Sequence, residues 1–282
     1  MPVALKAITT PAGAERDERA SALIQFIGVS KSFTVKGVAK QASHSINLSI
    51  EKGEVVTVVG PSGCGKSTLL NMVAGLFAPT EGQVVYNGKA VCGVNGRTGY
   101  MTQSDHLLPW RDVVGNIAVP LEIQGMPKVQ RRERIQELIK LVGLEGFEKS
   151  YPSQLSGGMR KRAALARLLA YDPETLLMDE PFAALDAQLR MRMQTELIRL
   201  SRRLNKTVIF VTHDLDEAVA LGDRCLIFAG RPGTIVKDVP IPLGEERNIL
   251  QLRKDPRYHQ LCGDLWDFMT PSLNDASEGN RA

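Results

Sequence analysis

The chain has 282 residues, enough for one large domain or two modest ones, and 43% of them are apolar, so a sizeable core is available. Lys plus Arg number 35 and Asp plus Glu 31, leaving +4, too small a bias to argue for a nucleic-acid or anionic-membrane partner. No run approaches the ~20 apolar residues of a transmembrane helix, the N-terminus lacks the apolar core of a secretory signal, and Cys64, Cys92, Cys225 and Cys262 form no Cys-x-x-Cys pair, so a reducing cytosol is expected rather than a zinc site or disulfide framework.

Met1 to about Ala22 is rich in Ala, Thr, Glu and Arg without a helical or strand period, so residues 1–22 are expected to be a flexible leader, with the fold beginning near Leu23. Ile46, Leu48 and Ile50 alternate with polar residues as in a half-buried strand, whereas Val55 to Val59 is apolar except for Thr57 and reads as a central strand. That strand runs into Gly60-Pro61-Ser62-Gly63-Cys64-Gly65-Lys66-Ser67-Thr68, which matches G-x-x-x-x-G-K-[ST] and opens a helix. The glycines let backbone N–H groups turn inward around phosphates, and the helix N-terminus favours their charge. Lys66 then reaches the β- and γ-phosphates and Ser67 offers its hydroxyl to Mg2+, so ATP with magnesium is the expected ligand. Cys64 puts a thiol inside this loop, and bulky alkylation there is expected to block ATP.

Gly99 to Thr102 reads as a further strand, ending at Gln103. The next stretch, Ser104 to Arg111, carries Leu107, Leu108, Pro109 and Trp110, an apolar cluster that either local packing or a partner should cover. Ile135, Leu138, Ile139 and Val142 share one face of a charged helix with Pro127 near its start, inside a helical region of about residues 104–170. Leu176 to Met178 and Val208 to Val211 are buried-strand candidates, each followed by a polar turn and a helical stretch, which predicts a mostly parallel α/β sheet with functional residues at its strand ends. The first of them ends in Asp179-Glu180. Alone, such a pair is more often a cap or a solvated turn; beside a phosphate loop, Asp179 can hold Mg2+ through water while Glu180 orients or deprotonates the attacking water. His213 ends Thr207 to Thr212 and reads as a γ-phosphate contact, a partner for Glu180 or a structural histidine. After a Pro- and Gly-punctuated stretch from Arg231 to Gly244, the stripe Tyr258, Leu261, Leu265 and Met269 predicts a small helical appendage over residues 246–282, closing in a frayed polar tail from Ser272 to Ala282.

Leu155-Ser156-Gly157-Gly158-Met159, followed by Arg160-Lys161-Arg162 and an apolar helical series through Leu169, completes the pattern. With the phosphate loop upstream and the acidic strand downstream, it resembles the signature of ABC transporter ATP-binding subunits, over about Ile24 to Gly230. The resemblance implies an α/β P-loop NTPase domain, residues 23–245, with a RecA-like mostly parallel sheet core, an N-terminal antiparallel β subdomain and a helical signature subdomain. It also implies a homodimer that sandwiches two ATP molecules head to tail, Ser156, Gly157 and Gly158 contacting the γ-phosphate on the partner's loop. A serine hydroxyl and two glycine N–H groups opening a helix do suit an anion. By the same resemblance Gln103 is the Q-loop magnesium and water ligand, Asp186 in Ala184-Leu185-Asp186 the D-loop residue, His213 the switch histidine, and Phe33 the aromatic that stacks on adenine. Relatives often carry Tyr, Gln, an aliphatic residue and Ser where this chain has Phe33, Lys161, Thr175 and Ala183.

Leu107-Leu108-Pro109-Trp110, the Arg231-Pro232-Gly233 turn and the Leu252-Arg253, Asp255-Pro256-Arg257 and Leu265-Trp266 ending resemble importers of the nitrate, sulfonate and taurine group, although Val91 to Gly99 lacks the Gly-Pro-rich stretch common there. This implies permease subunits docked through Gln103 to Arg111, a separate substrate-binding protein, a peripheral position on the cytoplasmic face of the inner membrane, and Mg-ATP hydrolysis driving uptake of a small anionic solute. Two alternatives stand beside it: an importer of a different small solute, and a soluble ABC-type ATPase acting on nucleic acid or ribosomes. The uninterrupted single cassette and the +4 charge speak against the latter, so no nucleic-acid partner is expected. A regulator without turnover would lack Glu180 or His213, and both are present.

Overall fold

The computed structural model describes residues 22–244 and 247–278. The leader expected over residues 1–22 lies outside the described residues apart from Ala22. Strands β1 (Ile24–Val35), β2 (Val38–Ile50), β4 (Glu81–Tyr86) and β5 (Lys89–Ala90) form one antiparallel sheet in the order β2-β1-β4-β5. A second sheet joins β3 (Val55–Val59), β6 (Thr98–Met101), β7 (Thr175–Asp179), β8 (Thr207–Val211), β9 (Arg224–Ala229) and β10 (Thr234–Pro240) in the order β10-β9-β3-β8-β7-β6. Every pairing in it is parallel except that of β10 with β9.

All positions of β3, β7 and β8 are buried, as their unbroken apolar runs require of strands covered on both faces. In β2 the alternation of Ile46, Leu48 and Ile50 turns all three inward. The antiparallel sheet is not purely N-terminal. After helix α1 (Lys66–Val73), which follows the phosphate loop, the chain returns to supply β4 beside β1. The punctuated stretch after Arg231 contains β10, an edge strand that ends at Pro240, where a missing N–H costs the ladder little.

Helices α2 (Val113–Ile123), α3 (Lys128–Leu141) and α4 (Gly157–Tyr171) pack together over the β6 side of the sheet, burying Ile135, Leu138, Ile139 and Val142 as their spacing predicts. Helices α5 (Ala187–Arg203), α6 (Leu215–Leu221), α7 (Ile249–Leu252) and α8 (Pro256–Glu278) complete the described chain. Tyr258, Leu265 and Met269 are buried and Leu261 partly so, which seats α8 on α6 and β9. The tail expected from Ser272 is instead helical to Glu278, residues 272–278 including Leu273 and Ala276 and holding neither Gly nor Pro, while its last residues, 279–282, lie outside the described residues.

Register brings the functional strand ends level. Met101 pairs with Met178, Asp179 with Val211, and Val58 with Val211. The residues that follow those strands, Gln103, Glu180, His213 and Gly60, therefore emerge along one edge of the sheet, where parallel α/β sheets place their ligands.

Candidate nucleotide-binding and hydrolysis site

The phosphate loop is pressed against its neighbours. A Cβ on Gly60, whose φ is +154°, would lie 1.9 Å from the Phe228 carbonyl oxygen, and one on Gly65, φ +103°, would lie 2.8 Å from the Ala42 carbonyl oxygen. Only glycine fits this path between the end of β9 and the strand β2. Lys66 opens α1 with its side chain buried, and its Nζ donates to the carbonyls of Gly60 at 2.6 Å and Pro61 at 2.8 Å. The ammonium is thus held across the loop it belongs to. Cys64, where alkylation is expected to block ATP, is buried with its Sγ 3.6 Å from the Phe228 carbonyl, and burial pushes the thiol above its ordinary pKa. A protonated thiol facing the protein interior is a poor nucleophile.

Asp179 ends β7 buried beneath the loop. Burial pushes its carboxyl up, a hydrogen bond from Ser67 pulls it down, and the charges of Glu180 and then Lys66 act in opposite senses on it. Glu180 takes φ +48°, uncommon for a side chain of its size, and its N–H donates to the Val211 carbonyl at 3.0 Å. One carboxylate oxygen of Glu180 lies 3.5 Å from Gln103 Nε2 and the other 3.4 Å from His213 Nδ1. The three sequence candidates for handling water therefore meet.

His213 owes its place to a buried network that the sequence reading missed. Thr212 Oγ1 donates to Glu217 Oε2 at 2.6 Å and accepts from the Asp214 N–H at 3.0 Å, while Gln194 Nε2 donates to Glu217 Oε1 at 3.0 Å. Burial raises the Glu217 carboxyl, and the Thr212 hydroxyl opposes that rise. The signal was present: Asp214 caps α6 and Glu217 stands three residues on, the spacing of a capping box.

Ser67, Asp179 and Gln103 offer a hydroxyl, a carboxylate and an amide oxygen, a hard all-oxygen set that fits Mg2+. Among the described residues no cluster of three or more His, Cys, Asp or Glu forms a metal cage. An ion that takes only a few protein ligands and completes its shell with phosphate and water needs none.

Other candidates stand apart. Ser156 caps α4 and accepts from the Met159 N–H at 3.3 Å; Ser156 and Gly157 are exposed, and among the described residues no hydrogen bond joins them to the phosphate loop. A Cβ on Gly158 would sit 3.2 Å from the Ala184 carbonyl oxygen, so the signature start adjoins the segment leading to Asp186. Asp186 caps α5, accepting from the Leu189 N–H at 3.0 Å. Phe33 meets Phe77 edge-on at 5.4 Å with Lys31 Nζ 5.1 Å from its ring, on the hairpin whose Ala42 touches Gly65. The apolar cluster at 107–110 divides: Leu107 is buried in the core because the chain turns it inward beneath α2, Leu108 is tied to Asn116 at 2.7 Å, and Trp110 is 70% exposed. Beside it opens a cleft of about 350 Å3 lined by Ser104, His106, Leu108, Pro120, Ile123 and Arg167.

A phosphate loop, a buried acid and a flanked carboxylate on one edge of a mostly parallel sheet define a P-loop nucleotide hydrolase. The family model for ABC transporters matches residues 43–183. The chain is 48% identical over 234 residues, 83% of this chain and 88% of the relative, to an uncharacterized ABC transporter ATP-binding protein of Methanocaldococcus jannaschii. It is 40% identical over 235 residues (81% and 88%) to the taurine import ATP-binding protein TauB of Roseobacter denitrificans, and 44% identical over 210 residues (74% and 82%) to the aliphatic sulfonates import ATP-binding protein SsuB of Bacillus cereus. Among solved structures it resembles a dimeric post-hydrolysis state of an ATP-binding cassette bound to ADP and Pi, with TM-score 0.72 and 32% identity over 77% of this chain and 98% of that one. The chain belongs to the ABC transporter ATP-binding family.

Proposed function

We propose that this chain is the ATP-hydrolysing subunit of an importer for small anionic solutes of the taurine and sulfonate type, acting as a homodimer beneath separate membrane subunits. The names of its relatives support the solute class, and the dimeric cassette it resembles supports the assembly. The observation that carries the reading is the convergence of Lys66, Asp179, Glu180, Gln103 and His213 along one sheet edge.

In this reading the loop from Gly60 to Thr68 cradles the phosphates with backbone N–H groups and the Lys66 charge, and Phe33 receives the adenine. Ser67, Asp179 and Gln103 would hold magnesium, which would supply neutralisation of phosphate charge when bound. Glu180 takes the proton of the attacking water, with Gln103 and His213 holding its two oxygens. Ser156 and Gly157 of one protomer, exposed and unattached to their own loop, and half-buried Gly158 complete the site of the other, with Asp186 beside them.

Exposed Trp110 and the adjoining cleft support a permease docking at Gln103 to Arg111, from which closure of the dimer would switch the membrane gate. A separate binding protein would deliver the solute. No described helix is long and apolar enough to cross a membrane, and we place the chain peripherally on the cytoplasmic face. Residues 23–245 form the ATPase domain in this reading and 246–282 the appendage that α8 anchors. The test is uptake of labelled taurine and an alkanesulfonate by a strain lacking this chain. Uptake should be lost and return with the wild-type chain but not with Lys66→Ala; undiminished uptake in the deletion strain would refute the solute class.

A further inference from the structure

We propose that Lys161 is a positioning residue that fastens the backbone of Gln103 to the signature helix, and so ties the hydrolytic carboxylate of one site to the Ser156–Gly158 contact given to the other. Lys161 lies in α4, only five residues after Ser156, with 9% of its surface exposed. Its Nζ donates to the Thr102 carbonyl at 3.2 Å and to the Gln103 carbonyl. Those two carbonyls flank the Gln103 Cα, so one ammonium fixes both peptide planes from which the Gln103 side chain extends to Glu180.

Two other cations of the same helix grip the chain just beyond. Arg160 donates to Asp105 Oδ2 at 3.0 Å and to the Leu155 carbonyl at 2.8 Å, and Arg167 donates to the carbonyls of His106 at 2.8 Å and Asp105 at 3.0 Å. Only Lys161 among the three holds the carbonyls on either side of Gln103. A buried ammonium without partners would be costly, and here two carbonyl acceptors and the charges of Asp105, Asp179 and Glu180 offset part of that cost. A neutral glutamine in place of Lys161 would have a shorter stem and no charge to hold two dipoles together.

The consequence is mechanical. When Ser156, Gly157 and Gly158 engage the γ-phosphate across the dimer, any shift of the α4 start is passed through Lys161 to Gln103 and on to Glu180. The inference rests on the hydrolytic reading above, but it has a readout that does not.

In full-length protein labelled with 15N at glutamine, the heteronuclear NOE of the Gln103 amide, assigned with Gln103→Ala, reports the mobility of that residue without nucleotide. Lys161→Met is expected to lower this NOE, and Lys161→Arg, which keeps charge and donors, to restore it. In steady-state hydrolysis Lys161→Met should cut kcat roughly ten- to hundredfold, since misplacement of a catalytic group costs that much, while KM for ATP stays within about threefold because Lys161 does not touch the nucleotide. Lys161→Arg should recover most of kcat. A wild-type NOE and turnover in Lys161→Met would overturn the proposal, as would a loss that Lys161→Arg fails to restore. Absence of hydrolysis by the wild type would refute the hydrolytic reading alone, and the NOE would still decide the positioning.

Discussion

Thr212→Val removes one hydroxyl from the network behind His213 while keeping the side-chain shape. The hydroxyl donates to Glu217 at 2.6 Å and accepts from the Asp214 N–H at 3.0 Å, with Thr212 2% exposed. A hydrogen bond to a charged group is worth about 1.5–3 kcal/mol, and an N–H left without its acceptor about 1 kcal/mol more, so the variant should lose about 2.5–4 kcal/mol of stability at neutral pH. The loss should depend on pH with a definite sign. Burial already raises the Glu217 carboxyl above its unfolded value, so its ionised form costs stability at neutral pH, and that cost is relieved as pH falls through the folded pKa. Taking away the hydroxyl that favours the ionised form raises the carboxyl further. The deficit of the variant should therefore be full at neutral pH and shrink on acidification. Urea unfolding of wild type, Thr212→Val and Thr212→Ser at about pH 7.5 and about pH 5.5, with m checked for constancy, measures it. Thr212→Ser should track the wild type. A Thr212→Val deficit below about 0.5 kcal/mol, or one that grows in acid, would refute the network as drawn.

Other consequences are simpler to read. Gly60→Ala forces a Cβ to 1.9 Å from a backbone oxygen that cannot step aside, so it should cost about 3 kcal/mol or more and abolish binding of a fluorescent ATP analogue; a stable, binding variant would show that the loop path is wrong. Iodoacetamide at about pH 8 should label exposed Cys92 and leave Cys64 unmodified by intact mass, with ATP binding unchanged, because the Cys64 thiol is buried and its pKa raised. Cys225, pushed up to about 12, should also stay unlabelled. Chelation with EDTA should stop hydrolysis, and added Mg2+ should restore it; turnover that persists in EDTA would remove Ser67 and Asp179 from any metal role.

Much of the site was legible because its chemistry depends on short contiguous patterns. Val55–Val59 and Leu176–Met178 are unbroken apolar runs that only a doubly covered strand explains, and the glycines and acids at their ends follow at once. What the patterns lacked was side-chain direction across long sequence gaps. Lys161 reads as one of three basic residues on a helix face, yet its ammonium reaches carbonyls 58 and 59 positions away. Leu107 and Trp110 look alike as apolar residues in one turn, and only the packing of α2 decides that one is buried and the other exposed. The β10 strand hid among Pro232, Gly233 and Pro240 because an edge strand needs only one ladder partner and tolerates a proline at its end. For a related reason the place of Cys64 in the loop was visible, but the turn of its side chain toward Phe228 was not.

In the proposed reading Glu180 activates water at a site completed by a second copy of the chain. Glu180→Gln keeps the shape and removes the charge, so with Mg-ATP it should lose at least about a hundredfold in turnover, the scale of a missing general base. By light scattering it should at the same time run as an ATP-loaded dimer, while the wild type returns to monomer as it hydrolyses. Turnover close to wild type in Glu180→Gln would contradict the account, whatever the dimer does.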